Sequence, residues 1–139
     1  MKSDNEKAAL DYKAKIMKTI IYPLNDYYKV EGQSRNIRYF TKYNPHVFGR
    51  VLDRNIDQAT FAEIFTKLFE TQYDYLLEIF EKDKDKMNST DSVAIFVRLR
   101  NVSICFIVFN DASEGYFSLM PLTVLGEHEY KKCNYEIEL

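Results

Sequence analysis

Residues 92–109 read SVAIFVRLRNVSICFIVF. Both halves of this stretch are β-branched and aromatic, with apolar residues on the even and the odd positions alike. That pattern belongs to strands covered on both faces at the centre of a sheet. Only Arg100 and Asn101 separate the halves, so the two strands form a tight hairpin. Downstream, NDASEG at 110–115 is a turn, and YFSLMPLTVL at 116–125 is a third strand whose Pro121 belongs at an edge or a bulge. The last stretch, YKKCNYEIEL at 130–139, alternates so that Cys133, Tyr135, Ile137 and Leu139 share one face of a fourth strand.

Upstream the period changes from two to three and four. Ser3 with Glu6 has the form of a capping box. Leu10, Ile16, Met17, Ile20, Ile21 and Leu24 then mark the buried side of a long helix, which Pro23 should kink or end. EGQS at 31–34 is a loop, and NIRYFTKY at 36–43 is a short strand or an extended segment. Asn44 and Pro45 make an N-cap and first-turn pair for a short helix over 45–54. Asp57 caps the next helix, with a stripe of Phe61, Ile64, Phe65, Leu68 and Phe69. The stripe resumes at Tyr73, Leu76, Leu77 and Phe80 after a bend near Thr71, and EKDKDKMNSTDS at 81–92 is a solvated helix end and loop. Helices first and strands afterwards give an α+β fold: N-terminal helices packed on a four-stranded antiparallel sheet, one domain over residues 1–139.

The chain of 139 residues is 46% apolar and 29% charged, enough for a core and for solubility. Aromatics reach 15%, all Tyr and Phe, which serves core and interface filling or a ring surface for stacking bases. The net charge of −2 excludes a general polycation, but it is unevenly spread. Residues 1–54 hold eleven Lys/Arg against six Asp/Glu, and residues 55–139 hold eight against fifteen. A local basic patch for an anionic partner fits this division, as do two halves that complement each other. The two cysteines have no metal-ligand spacing; Cys105 reads as a buried thiol, and nothing points to a disulfide framework, so the cytoplasm is expected. No signal segment or membrane-spanning run is expected, which leaves the sequons at Asn88 and Asn101 to chance. Two histidines eighty-two positions apart and four scattered glycines argue against a metal site and a phosphate loop, so no cofactor is expected.

Residues 42–57, KYNPHVFGRVLDRNID, carry the chemistry. On a helix His46, Arg50 and Arg54 line one stripe about 12 Å long, while Phe48, Val51 and Leu52 turn toward the core. Arginine holds phosphate oxygens through its planar fork and stabilises charge developing at phosphorus. An imidazole, ordinarily titrating near about 6.5, takes or gives a proton at neutral pH. The alternative is an exposed polar face in which Arg50 and Arg54 pair with Asp53, Asp57 or carboxylates of the sheet.

The stretch KYNPHVFGRVLDRNIDQATFAEIFTK, residues 42–67, resembles the RegB family of T-even phage endoribonucleases, at Lys42, Tyr43, His46, Arg50, Arg54, Ile56, Asp57, Phe65 and Lys67. That family is grouped with RelE and YoeB, small metal-independent ribonucleases with helices followed by a four-stranded antiparallel sheet. The resemblance implies cleavage of mRNA without metal: the 2′-hydroxyl attacks the adjacent phosphorus, leaving a 2′,3′-cyclic phosphate. His46 would be the base or the acid, with Arg50 and Arg54 on the phosphate. Lys42, Arg98 and Arg100 would extend the backbone groove, the last two alternating onto one strand face. The family's second histidine falls at Thr66, which exchanges no proton near neutrality. His128, in LGEHEY, is the only other imidazole and the candidate to replace it; Tyr130 and Tyr135 are further candidates, and an exposed turn is the other reading of His128. The implied partners are mRNA and a host ribosomal or other host protein, in the host bacterial cytoplasm if the chain is phage-encoded. Two other classes stay open: an inert relative that binds a host or phage protein, and an antitoxin whose acidic half covers a basic toxin. An RNA-directed protein requires His46, Arg50, Arg54 and the Arg98–Arg100 pair in one cleft. A binding module requires a continuous exposed patch, as around Tyr27, Tyr28 and Tyr39.

Overall fold

The computed structural model describes residues 4–41, 45–87 and 93–139. Ser3, Lys42, Tyr43, Asn44 and the Asn88 sequon lie outside them, and with them the two caps expected at Ser3 and Asn44. The chain begins with α1 (Asp4–Ile16), a π turn (Met17–Ile21) and α2 (Tyr22–Tyr27). Of the two outcomes expected at Pro23, a kink or an end, the end does not occur: helical structure continues to Tyr27. The Tyr22 N–H donates to the Met17 carbonyl five residues back, and this widened turn precedes a first turn of α2 in which Pro23 sits. A proline lacks an N–H, and in the first turn of a helix none is required of it.

Strand β1 (Asn36–Tyr39) follows, then α3 (His46–Asp53) and α4 (Gln58–Met87). Asp57 caps α4 as expected: its Oδ1 accepts the N–H of Ala59 at 3.0 Å and of Thr60 at 3.4 Å. The helix is not interrupted near Thr71, where a bend is expected. The Thr71 hydroxyl donates to the Lys67 carbonyl at 2.8 Å, inside one uninterrupted helix of 30 residues. Nor is its charged end wholly solvated, because Asp83 is buried and accepts a hydrogen bond from the Tyr135 hydroxyl.

The rest is β2 (Val93–Leu99), β3 (Val102–Asp111), β4 (Tyr116–Leu125) and β5 (Tyr135–Glu138). The sheet is five-stranded and mixed, in the order β1-β4-β3-β2-β5, which corrects the expected four-stranded antiparallel sheet. Only the β2–β3 and β3–β4 pairs are antiparallel; β1 runs parallel to β4, and β5 parallel to β2. The reason lies in the connections. Residues 126–134 are too many for a hairpin turn, and they carry the chain across β3 and β2, so β5 enters from the opposite end. Pro121 meets the bulge expectation and not the edge one: Cys105 faces Thr123 while Phe106 faces Pro121, leaving Leu122 as the extra residue of an interior strand. Strand β1 reaches only as far as Leu119, whose carbonyl accepts the Phe40 N–H at 2.8 Å. The outer edge of β1 is covered by side chains. Asn25 exchanges two hydrogen bonds with the backbone of Tyr39, and the Tyr73 hydroxyl accepts from the Ile37 N–H.

Helix α4 lies across one face of this sheet. Phe61, Ile64, Phe65, Leu68 and Phe69 bury against Ile95, Val97, Ile104, Phe106 and Leu119. Tyr39 stacks on Phe69 with centroids 4.2 Å apart, and Phe65 meets Phe106 edge-on. Seven of the ten phenylalanines are fully buried, so the phenylalanines are mostly core, whereas of the tyrosines only Tyr12 and Tyr39 are buried among the described residues. The alternate residues of the strands, among them Arg38, Phe96, Arg98, Ser103, Cys105, Ser118 and Thr123, turn to the opposite face, which the 126–134 segment crosses. Among the described residues no helix is long and apolar enough to cross a membrane.

Candidate functional site

Helix α3 is amphipathic for a local reason. Val47, Phe48 and Val51 repeat at one- and three-residue steps and are buried, so the positions between them turn outward. Gly49 permits close approach of α1: a Cβ there would stand 3.4 Å from the Ala9 Cβ. His46, Arg50 and Arg54 share the outward stripe as their spacing requires. With Asn5, Glu6, Ala9 and Leu10 of α1 they line an open groove of about 650 Å³. His46 is exposed at the N-terminal end of the stripe, Arg50 is half-buried, and Arg54 ends the helix.

From α3 the two arginines reach the sheet. Arg50 Nη1 donates to Thr123 Oγ1 at 2.9 Å, on the face opposite α4. Arg54 Nη1 donates to both carboxylate oxygens of Glu129, at 3.1 and 2.9 Å. The Glu129 carboxyl also accepts the Gly126 N–H at 3.1 Å. That backbone bond first, and then the Arg54 guanidinium, hold it below the usual carboxylate range. Arg98 arrives from β2: its Nη2 donates to the Glu129 carbonyl and its Nε to Ser103 Oγ, both at 2.9 Å. Arg54 and Arg98, from two elements distant in sequence, therefore meet at Glu129, while Arg50 sits on Thr123 of the neighbouring strand β4, and the Phe96 and Tyr130 rings stand 5.2 Å apart beside Arg98.

Other expected members stand elsewhere. Arg100 does not share the face of Arg98. It has left the strand into the hairpin turn with φ +55°, and it pairs with Glu63 of α4 at 2.8 Å on the helix side. His128 is an exposed turn residue with φ +67°, adjacent in sequence to Glu129; its Nε2 is 3.9 Å from Glu127. Thr66 is half-buried on α4, the helix that packs on the sheet face opposite the arginines. The tyrosine patch does not form as expected: Tyr27 is exposed, but Tyr28 packs on Phe69 and Tyr73, and Tyr39 is core. Of the further candidates, Tyr130 donates to Glu136 and Tyr135 to Asp83, which places Tyr130 beside the arginines and Tyr135 away from them.

Sequence reading missed Thr123, Ser103 and above all Glu129, which it saw only as a neighbour of His128. Their one advance signal was the possibility that a distant carboxylate would pair with the arginine stripe. Among the described residues no group of three His, Cys, Asp or Glu could hold a metal ion. No protein-family model, curated protein or solved structure matches the chain.

Proposed function

We propose that this protein is a metal-independent endoribonuclease of the RegB type acting on mRNA, and that its helices and mixed sheet are a RelE-like fold extended by an outer strand. One observation carries the reading: Arg54 and Arg98 meet at Glu129, with Arg50 on the adjacent Thr123, and Arg50 and Arg54 also line the groove that His46 lines. A carboxylate held by a guanidinium and a backbone N–H occupies the kind of site that a phosphate also fits. The RNA phosphate takes the place of Glu129 on Arg54, with Arg50 and Arg98 beside it to stabilise the charge of the pentacoordinate phosphorus. His46 takes the 2′-hydroxyl proton or protonates the 5′-oxygen as it leaves, and His128 carries the other proton from the turn next to Glu129.

A second reading, an inert relative that binds a host protein or acts as an antitoxin, is favoured by two observations. Thr66 stands where the family's second histidine is expected, and Arg54 already has a carboxylate partner. The experiment that separates the readings mixes the purified chain, in EDTA, with end-labelled mRNA leaders that carry purine-rich ribosome-binding sites. Discrete cuts ending in a cyclic phosphate and lost in His46→Ala support the enzyme. Loss in His128→Ala as well assigns the second proton. No cutting, even with a ribosomal protein added, leaves the inert binder.

A further inference from the structure

Two thiols that the proposed chemistry does not use stand in contact on the face opposite α4. Cys105 of β3 is fully buried there, and its Sγ lies 3.3 Å from Sγ of the half-exposed Cys133. The segment that carries Cys133 is held on either side of the contact. One residue beyond Cys133, the Asn134 N–H donates to the Ala94 carbonyl at 3.0 Å, and Asn134 Oδ1 accepts the Ala94 N–H at 2.8 Å. Upstream, the Glu129 carbonyl is held by Arg98 and the Tyr130 ring rests on Phe96. Closing the sulfurs from that separation to a bond of about 2.05 Å is a local shift of one side chain in a segment already pinned at both ends.

We propose that Cys105 and Cys133 form a reversible intramolecular disulfide with a low-molecular-weight disulfide such as oxidised glutathione, fastening the 126–134 segment across the sheet. The half-exposed Cys133 reacts first. Its thiolate attacks one sulfur of the small disulfide, forming a mixed disulfide and expelling one small thiolate, which takes up a proton. Cys105 then gives its proton to water and attacks the Cys133 sulfur, expelling the second small thiol. The two cysteines lose two electrons and two protons, and the small disulfide gains them as two thiols. Burial, then the neighbouring Cys105, push the Cys133 thiol up to about 12; Glu136 acts in the same sense and Lys131 in the opposite one. The first step is therefore slow at neutral pH and accelerates as pH rises, which makes the pair a lock that sets slowly and not a rapid sensor. Because the fastened segment carries Glu129, the oxidised form keeps that carboxylate on Arg54.

The test treats the reduced 139-residue chain with oxidised glutathione in mildly alkaline buffer. Intact mass and the thiol count in denaturant are then followed. The expected product has lost the mass of two hydrogen atoms and both thiols, and melts several degrees higher. It reverts with dithiothreitol and does not form in Cys133→Ser, which leaves the buried Cys105 in place. A product that stops at a glutathione adduct, a covalent dimer, or an unchanged mass overturns the proposal.

Discussion

Tyr12 and Tyr39 are buried phenols in opposite circumstances. The Tyr39 hydroxyl donates to the Phe65 carbonyl at 2.7 Å, whereas the Tyr12 hydroxyl has no hydrogen-bond partner among the described residues. Removing a satisfied hydroxyl and removing an orphan have different consequences. Tyr39→Phe should cost about 1–2 kcal/mol in urea unfolding, and Tyr12→Phe should be neutral or stabilise by up to about 1 kcal/mol. Both phenols also bind their protons more tightly when folded. Burial pushes Tyr12 up to about 12 and Tyr39 well above its ordinary value. The unfolded chain releases these protons near about pH 10, so this contribution is complete below about 10 and is lost as pH rises from there toward 12. Tyrosinate absorbance should therefore rise in a late step that coincides with loss of the far-ultraviolet helix signal, and the Tyr12→Phe variant should lose part of that step. At the site, Glu129→Gln should bind RNA several-fold more tightly than the parent, because a neutral amide competes less well for Arg54. The i, i+4 stripe of His46, Arg50 and Arg54 was legible in sequence because helical spacing is local. Glu129, Thr123 and Ser103 were not, since only sheet register and the crossing segment bring them to those arginines. Parity misled for Arg98 and Arg100 because the strand ends between them.

Helix boundaries were readable where a side chain makes the boundary itself. Asp57 is the example: its carboxylate satisfies two N–H groups that would otherwise have no partner at the start of α4. Asp57→Ala should cost about 1 kcal/mol, measured as a lowered midpoint of thermal unfolding with the groove geometry unchanged. Boundaries inferred from interruptions fared worse. Thr71 satisfies its hydroxyl on the preceding turn and leaves the helix intact. Pro23 follows a widened turn, so one proline does not divide α1 from α2 as sharply as its missing N–H suggests. The hairpin at Arg100–Asn101 was fixed by its shortness. The direction of β5 was not, because alternation of Tyr135 and Ile137 is the same in a parallel and an antiparallel strand.

At the scale of the whole molecule the sheet divides the chain's tasks. One face takes the aromatic stripe of α4 and holds the core; the other carries the arginines from α3 and β2 and the segment that crosses them. Apolar residues at even and odd positions alike announced central strands covered on both faces, but strand order depends on loop paths that no short pattern encodes. Helices before strands gave the α+β class, while the parallel outer strands and the fifth strand emerged only in three dimensions. With a net charge of −2, the RNA affinity proposed for this face has to come from a local cluster of positive charge and should fall with salt. The most direct test is binding of a single-stranded 2′-O-methyl RNA, which cannot be cleaved, followed by fluorescence anisotropy across a salt series. Arg50→Ala and Arg98→Ala should each weaken binding about tenfold and lower the salt slope by about one, and Arg100→Ala, on the opposite face, should change neither. Saturable binding that is absent in the parent chain, or that survives both substitutions and is lost with Arg100, would contradict the assignment of this face to RNA.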